Sequence, residues 1–369
     1  MTLQNLYCQA CGAEYDAGPD EPWRCSCGHA LDLETPPLPD GEPLPVSQLD
    51  TRRGLWTFHE FLPVDRAVTL GEGFTPVVDS DRWDAEFKLE YVSPSASFKD
   101  RGATTTLSRA AALGVDKVIE DSSGNAGAAI ATYAARAGIE ADVYVPADVK
   151  QSKLMAIQRS GARPVRVEGS REDVTSAAVD AVESGEGWYA SHAWNPAFYA
   201  GTMTFAIELA AQRDWTVPDA VVLPVGHGTL ALGAYRGFDL LERAGIVDRT
   251  PRLLVGQAAG YAPIADEFRG LVAEDEDDTE NEIADGIQIS EPARHDQLTA
   301  AIEDSGGDAI ALGEHVVENT LDTLHRDGFY VEPTCAVAPA ALTKYRELGV
   351  VEEDEDVVVA LTGSGLTTL

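Results

Sequence analysis

The sequence predicts an α/β fold with a small cysteine module at its front, and three observations predict it. Short β-branched runs alternate with helical stretches from about residue 66 onward. Several of those runs are continuously apolar, as parallel strands buried on both faces should be. Four of the five cysteines fall within the first 27 residues, apart from the rest of the chain.

Taken in order, the front module comes first. Cys8-x-x-Cys11 has a knuckle spacing, and Gly12 allows the tight turn that points two sulfurs at one centre. Cys25-x-Cys27-Gly28 is a tighter second pair. Four thiolates suffice for a closed tetrahedral structural zinc site, so Cys8, Cys11, Cys25 and Cys27 are the expected metal ligands. The competing readings are a degenerate remnant or occasional disulfides, and a reducing cytosol argues against the latter. His29 lies adjacent, but four sulfurs leave it no ligand role. Thr35 to Pro45 holds five prolines and reads as a stiff, extended linker. Cys335, in an apolar stretch, reads as a small buried hydrophobe without a role.

In the body, residues 117–120 predict a strand, 126–137 a helix, 141–146 a strand, 153–160 a helix and 164–167 a strand. Residues 220–224, 252–255 and 356–360 are further apolar strands, giving an α/β layering with crossover helices. The acidic run Glu274 to Asp278 breaks the pattern and is expected to be a solvated loop.

Composition narrows the function. The formal net charge of the 369 residues is −35, from 62 acidic and 27 basic side chains. Phosphate-backbone binding needs clustered lysine and arginine, so nucleic acid is not an expected partner. Residues 1–34 carry Arg24 as their one lysine or arginine. The acid excess runs along the whole chain, which reads as a solubility adaptation to high salt. The first residues have no basic region followed by an apolar stretch, and no run reaches bilayer length. A cytoplasmic protein with no membrane partner is expected.

Four glycine-containing or lysine motifs carry chemistry. Ser97-Phe98-Lys99-Asp100-Arg101-Gly102 sets an amine where covalent work is done, the competing reading being a solvated surface charge. Such an amine must be neutral, so burial and nearby positive charge have to lower its pKa. Ser122-Ser123-Gly124-Asn125-Ala126-Gly127 is a polar turn opening a small-residue helix, with Asn125 read either as a cofactor contact or as a helix N-cap. Leu223-Pro224-Val225-Gly226-His227-Gly228-Thr229-Leu230 is a strand, a glycine loop and a helix start, whose backbone amides suit a phosphate. Leu361-Thr362-Gly363-Ser364-Gly365-Leu366 follows the last strand.

These motifs in this order, with Gly71-Glu72-Gly73-Phe74-Thr75-Pro76 ahead of them and Asn195-Pro196 before Gly201, resemble the threonine synthase family of pyridoxal-phosphate enzymes. The resemblance covers essentially the whole chain. It implies two doubly wound α/β sub-domains with the pyridoxal 5'-phosphate (PLP) site in the cleft between them. The implied boundaries are a zinc-ribbon-like module at 1–34, a linker at 35–50 and a catalytic body at 51–369, its smaller sub-domain roughly 100–195. Lys99 is then the Schiff-base lysine, which also becomes the base that moves the substrate α-proton. Asn125 bonds the ring hydroxyl; Gly226, His227, Gly228, Thr229 and Leu230 hold the phosphate; Thr362 faces the pyridine nitrogen, with Ser364 ranked second. A neutral hydroxyl there does not hold a proton on the ring, which favours elimination and replacement over transamination.

The substrate implied is a small amino acid, O-phosphohomoserine, converted with water to threonine and phosphate. A homodimer is implied by the resemblance alone. Where threonine synthases commonly carry Thr-Gly-Asn-Thr, this chain has Ser123-Gly124-Asn125-Ala126, closer to the serine/threonine dehydratases. A dehydratase, or another β-elimination or replacement enzyme, is therefore the second expectation. Lys153 and Arg159 are candidate cations for a phosphate-bearing substrate, or plain surface charges. A reading of another class, a non-catalytic sensor or scaffold on this fold, would require loss of the Lys99 amine, which is present.

Overall fold

The computed structural model describes residues 3–34, 43–272 and 278–367. These divide into two compact units. The first holds the N-terminal residues 3–34 with Asp50–Glu72 and Lys99–Thr202; the second holds 43–49, Gly73–Phe98 and the chain from Met203 onward.

In the first unit a four-stranded sheet runs in the order Arg163–Val167, Glu140–Pro146, Lys117–Glu120, Trp188–Tyr189, all parallel. The chain winds outward in one direction from Lys117–Glu120 and returns on its other side as Trp188–Tyr189. The order therefore reverses between these two strands, and ligands of open α/β sheets bind beyond the carboxyl ends at such a reversal. The helices Lys99–Leu113 and Asn125–Ala137 pack on each other and share a core of Leu107, Ile130, Val118 and Val143.

The N-terminal residues form a three-stranded antiparallel sheet, Leu6–Tyr7 between Glu14–Tyr15 and Asp32–Leu33. It is bound into the first unit by aromatic and ionic contacts. Trp23 meets Tyr189 and Trp194 edge-on, with centroids 5.4 and 4.9 Å apart. The Arg109 guanidinium, 2% exposed, is held by Glu21 through Nε at 2.9 Å and Nη2 at 2.5 Å, and also donates to Gln4 O at 3.1 Å. Removing one partner of a buried pair strands a desolvated charge. Glu21→Ala is expected to destabilise this unit by about 3–5 kcal/mol, read by urea unfolding; a loss comparable to that of an exposed pair would show the bridge to be solvated.

The second unit is built on a seven-stranded sheet. Its order is Gly270–Leu271, Asp308–Leu312, Arg252–Ala258, Ala220–Pro224, Val357–Leu361, Ala85–Leu89 and Val77–Ser80. Val77–Ser80 pairs antiparallel and the others parallel, so the sheet is mixed. Winding reverses between Ala220–Pro224 and Val357–Leu361, in register from Ala220 opposite Val357. The helix Pro333–Glu347 covers one face and buries Val337, Ala341 and Tyr345 against it. Lys88, fully buried on its strand, donates to Thr75 O and Gln212 Oε1 (both 2.7 Å) and is paired with Glu208.

Val77–Ser80 and Ala85–Leu89 form a hairpin that no sequence signal marked. One expectation changes. Asp278, expected in a solvated loop, is 4% exposed and accepts the His315 N–H at 3.1 Å ahead of the helix Glu314–Arg326. The rest of that acidic run, 274–277, and most of the proline-rich segment, 35–42, lie outside the described residues. Among the described residues no helix is long and apolar enough to cross a membrane.

Candidate active site

In the first unit Lys99 is the first residue of Lys99–Leu113 and is half-buried, while Asp100 and Arg101 beside it are fully buried. Asn125 is the first residue of Asn125–Ala137; the N-cap is Gly124, so the reading of Asn125 as the cap does not hold. The Ser122–Gly124 turn leaves the carboxyl end of Lys117–Glu120, at the reversal of the sheet order. Gly127 is required there by close approach: a Cβ on it would stand 1.9 Å from the Ser122 carbonyl oxygen. Lys153 lies half-buried and Arg159 exposed on the helix Gln151–Arg159.

In the second unit the glycine loop and the Thr362 turn leave the carboxyl ends of the two strands at which the order reverses. Gly228 caps the helix Thr229–Arg243 with a left-handed φ of 73°, and a Cβ on it would stand 2.3 Å from Leu298 Cδ2. A Cβ on Gly226 would reach the Ile287 Cα at 3.0 Å. His227 is half-buried, and Thr229 and Leu230 are buried in the first turn. Glycine is thus required at both positions because Ile287 and Leu298 pack against the loop.

The segment entering Lys99 is laced to the Thr362 turn. Phe98 N donates to Thr362 O at 3.0 Å, Ser97 bridges Gly363, and Ser364 N donates to Ala96 O at 3.0 Å. The lysine therefore follows by one peptide bond a residue tied to Thr362. Thr362 Oγ1 is buried with no hydrogen-bond partner among the described residues, whereas Ser364 Oγ accepts the Leu366 N–H at 3.3 Å. Cys335, read from sequence as inert, accepts the Thr362 N–H at 3.1 Å, and burial pushes its thiol up to about 12. It steadies the turn as a neutral group.

A family model described as "Pyridoxal-phosphate dependent enzyme" matches residues 68–363. The chain is 34% identical to the threonine synthase of Methanocaldococcus jannaschii, over 97% of this chain and 92% of that protein. It is 33% identical to the threonine synthase of Methanosarcina acetivorans, over 98% and 91%. The chain belongs to the threonine synthase family of pyridoxal-phosphate dependent enzymes. Its fold is similar to solved structures as well. The processed form of threonine deaminase isoform 2 from Solanum lycopersicum aligns with a TM-score of 0.66 at 20% identity, covering 79% of each chain. A fungal L-serine ammonia-lyase from Rhizomucor miehei aligns with a TM-score of 0.65 at 21% identity, covering 79% of this chain and 93% of that one. This family member thus has the tryptophan-synthase-β-like α/β fold, with mixed sheets, and is a PLP-dependent lyase.

The residues present fit PLP. A phosphate suits the backbone amides of a glycine loop that opens a helix, as Gly226–Thr229 does, and a pyridine nitrogen needs a polar partner, which the unsatisfied Thr362 hydroxyl offers. The four N-terminal cysteines of this family member are free thiols whose sulfurs all lie within 4.8 Å of one another. Cys8 and Cys27 are 3.6 Å apart and Cys11 and Cys25 3.5 Å, near the ~3.8 Å edge of a tetrahedron with 2.3 Å metal–sulfur bonds.

Proposed function

We propose that this enzyme converts O-phosphohomoserine and water to threonine and phosphate. The observation that carries the reading is its similarity to threonine synthases over nearly its full length, cysteine segment included. Bound PLP supplies the electron sink that acidifies the substrate Cα–H. With PLP bound, Lys99 would anchor it covalently through Nζ and would be the base that takes the substrate α-proton. Asn125 donates to the ring hydroxyl oxygen. The backbone N–H groups of Gly226, His227, Gly228, Thr229 and Leu230 hold the phosphate of the cofactor. Thr362 is set ahead of Ser364 at the ring nitrogen because its buried hydroxyl has no partner of its own, whereas the Ser364 hydroxyl accepts the Leu366 N–H. A Cβ proton is removed as phosphate leaves Cγ, Cγ is protonated to the methyl group, and water adds its hydroxyl at Cβ while Cα regains a proton.

The test is release of threonine and phosphate from O-phosphohomoserine. It is run in concentrated KCl to screen the net charge of −35. Stoichiometric release of both products supports the assignment. A second reading, a serine/threonine dehydratase, is favoured by the turn itself, since Ser123-Gly124-Asn125-Ala126 is closer to that of the dehydratases. A protein that shows the cofactor band, releases no phosphate and forms a keto acid and ammonia from serine or threonine would establish that reading instead.

Cys8, Cys11, Cys25 and Cys27 hold a structural zinc on this proposal. Elemental analysis of the purified protein is expected to find stoichiometric zinc. Its removal by chelator is expected to unravel the short N-terminal sheet and change the Trp23 fluorescence. Metal-free protein with unchanged Trp23 emission would remove zinc from the account.

A further inference from the structure

No motif marked the first turn of the helix Pro333–Glu347, yet within the second unit it touches one loop assigned to the cofactor and reaches the other through a single segment. Its N-cap, Glu332, donates its N–H to Gly363 O at 3.0 Å, and Cys335 Sγ accepts the Thr362 N–H at 3.1 Å. The Glu332 carboxylate lies against Gly363, where a Cβ would stand 2.1 Å from Oε1. From the same turn Thr334 Oγ1 accepts the Gly286 N–H at 3.1 Å. Ile287, the next residue, packs on the glycine loop, its Cα 3.0 Å from where a Cβ on Gly226 would stand. Glu332, Thr334, Cys335 and Ile287 are all buried.

We propose that this turn positions both cofactor loops of the second unit. Thr334 acts on the phosphate loop through Gly286 and Ile287, and Cys335 with Glu332 acts on Thr362. The inference rests on Gly226–Leu230 being the phosphate loop and on Thr362 facing the ring nitrogen. Strand pairing alone does not reach either loop. The pairing of Ala220–Pro224 with Val357–Leu361 ends at Val222 opposite Val359, and both loops begin further along the chain.

The turn is built to be stiff. Pro333 at the first helical position fixes its own φ and has no N–H to satisfy. Thr334 and Cys335 follow on helical backbone, so their side chains leave at a fixed angle to each other toward two different loops. A phosphate held by backbone N–H groups needs those groups aimed at one point, and a hydrogen bond weakens steeply as it lengthens or bends. Without the Thr334 hydroxyl the Gly286 N–H turns to water, and Ile287 is no longer pinned against Gly226. Without an acceptor at Cys335 the buried Thr362 N–H is left unsatisfied, and the turn shifts to find one.

The experiment titrates the full-length apoprotein with pyridoxal phosphate and, separately, with pyridoxal, which keeps the ring and aldehyde but has no phosphate. The visible band reads binding of each. Thr334→Val removes the acceptor at nearly constant volume. It is expected to weaken pyridoxal phosphate about threefold to tenfold and to leave pyridoxal unchanged, with Thr334→Ser restoring the wild-type ratio. Cys335→Ala is expected to weaken both compounds alike and to move the band, with Cys335→Ser, which keeps an acceptor, closer to the wild type. If Thr334→Val does not fold, Gly286→Ala tests the same arm, because its Cβ would stand 2.8 Å from Thr334 Oγ1 and press the segment away. Equal losses for the two compounds in Thr334→Val, or unchanged affinities in either the Thr334 or the Cys335 variant with only a lowered melting temperature, would reduce the turn to a structural support and overturn the inference. A wild type that binds pyridoxal as tightly as pyridoxal phosphate overturns instead the reading of the glycine loop as the phosphate site.

Discussion

Lys99→Ala is expected to abolish both turnover and the visible band of the protein-bound cofactor. Two contributions are removed together. The amine supplies the covalent anchor for the cofactor, and the same nitrogen is the base placed to take the substrate α-proton. General base catalysis alone is worth about 10²–10⁴-fold, so a loss of about 10³-fold or more is expected on that ground. The fold should tolerate the change. Lys99 is the first residue of its helix, where alanine is a good helix former, and the contacts that tie this segment to Thr362 run through the Phe98, Ser97 and Ser364 backbones. Spectra and activity are measured on protein shown by far-ultraviolet circular dichroism to be folded. A variant that keeps both the band and the turnover takes Lys99 out of the mechanism.

Gly127→Ala is expected to lower both stability and cofactor affinity. Its Cβ would stand 1.9 Å from the Ser122 carbonyl oxygen and 3.0 Å from Val143 Cγ1. The first is main chain and cannot swing aside as a long side chain would. Either the Ser122–Gly124 turn lifts away from the helix Asn125–Ala137, or the helix shifts against its strand. Overpacking costs about 1–3 kcal/mol, and here the displaced turn carries Asn125, so cofactor affinity should fall with stability. Gly124→Ala is the control. Its Cβ would meet only Ser122 Oγ at 3.8 Å, and its φ of −92° suits an L-residue. A loss of about 1 kcal/mol or less is expected there, from the poorer N-cap. Equal melting temperatures and equal cofactor affinities for the two variants would show that the turn does not depend on the close approach.

Much of this architecture is legible from local pattern. The apolar runs at Lys117–Glu120, Ala220–Pro224 and Val357–Leu361 are strands within a residue of their expected limits, because fully buried parallel strands leave no alternation to misread. Val77–Ser80 and Ala85–Leu89 were not legible as a hairpin. They contain Asp79, Glu86 and Lys88, and nothing local shows that Lys88 is fully buried with Glu208, 120 residues away. The burial of Asp278 was hidden for the same reason, since an acidic run looks solvated until one of its members accepts an N–H from a helix start.

Residue types and their order along the chain settled the family resemblance: a lysine after Ser-Phe, a polar turn with Asn125, a bare glycine loop, a hydroxyl turn after the last strand. Each is a statement about neighbours in sequence, where φ preferences, missing side chains and strand ends act. The bond from the Thr362 N–H to Cys335 and the meeting of Glu120 with His192 needed the folded chain. Which buried polar atoms find a partner depends on strand register and on packing between residues far apart in sequence, 72 positions for Glu120 and His192. No local preference encodes those meetings.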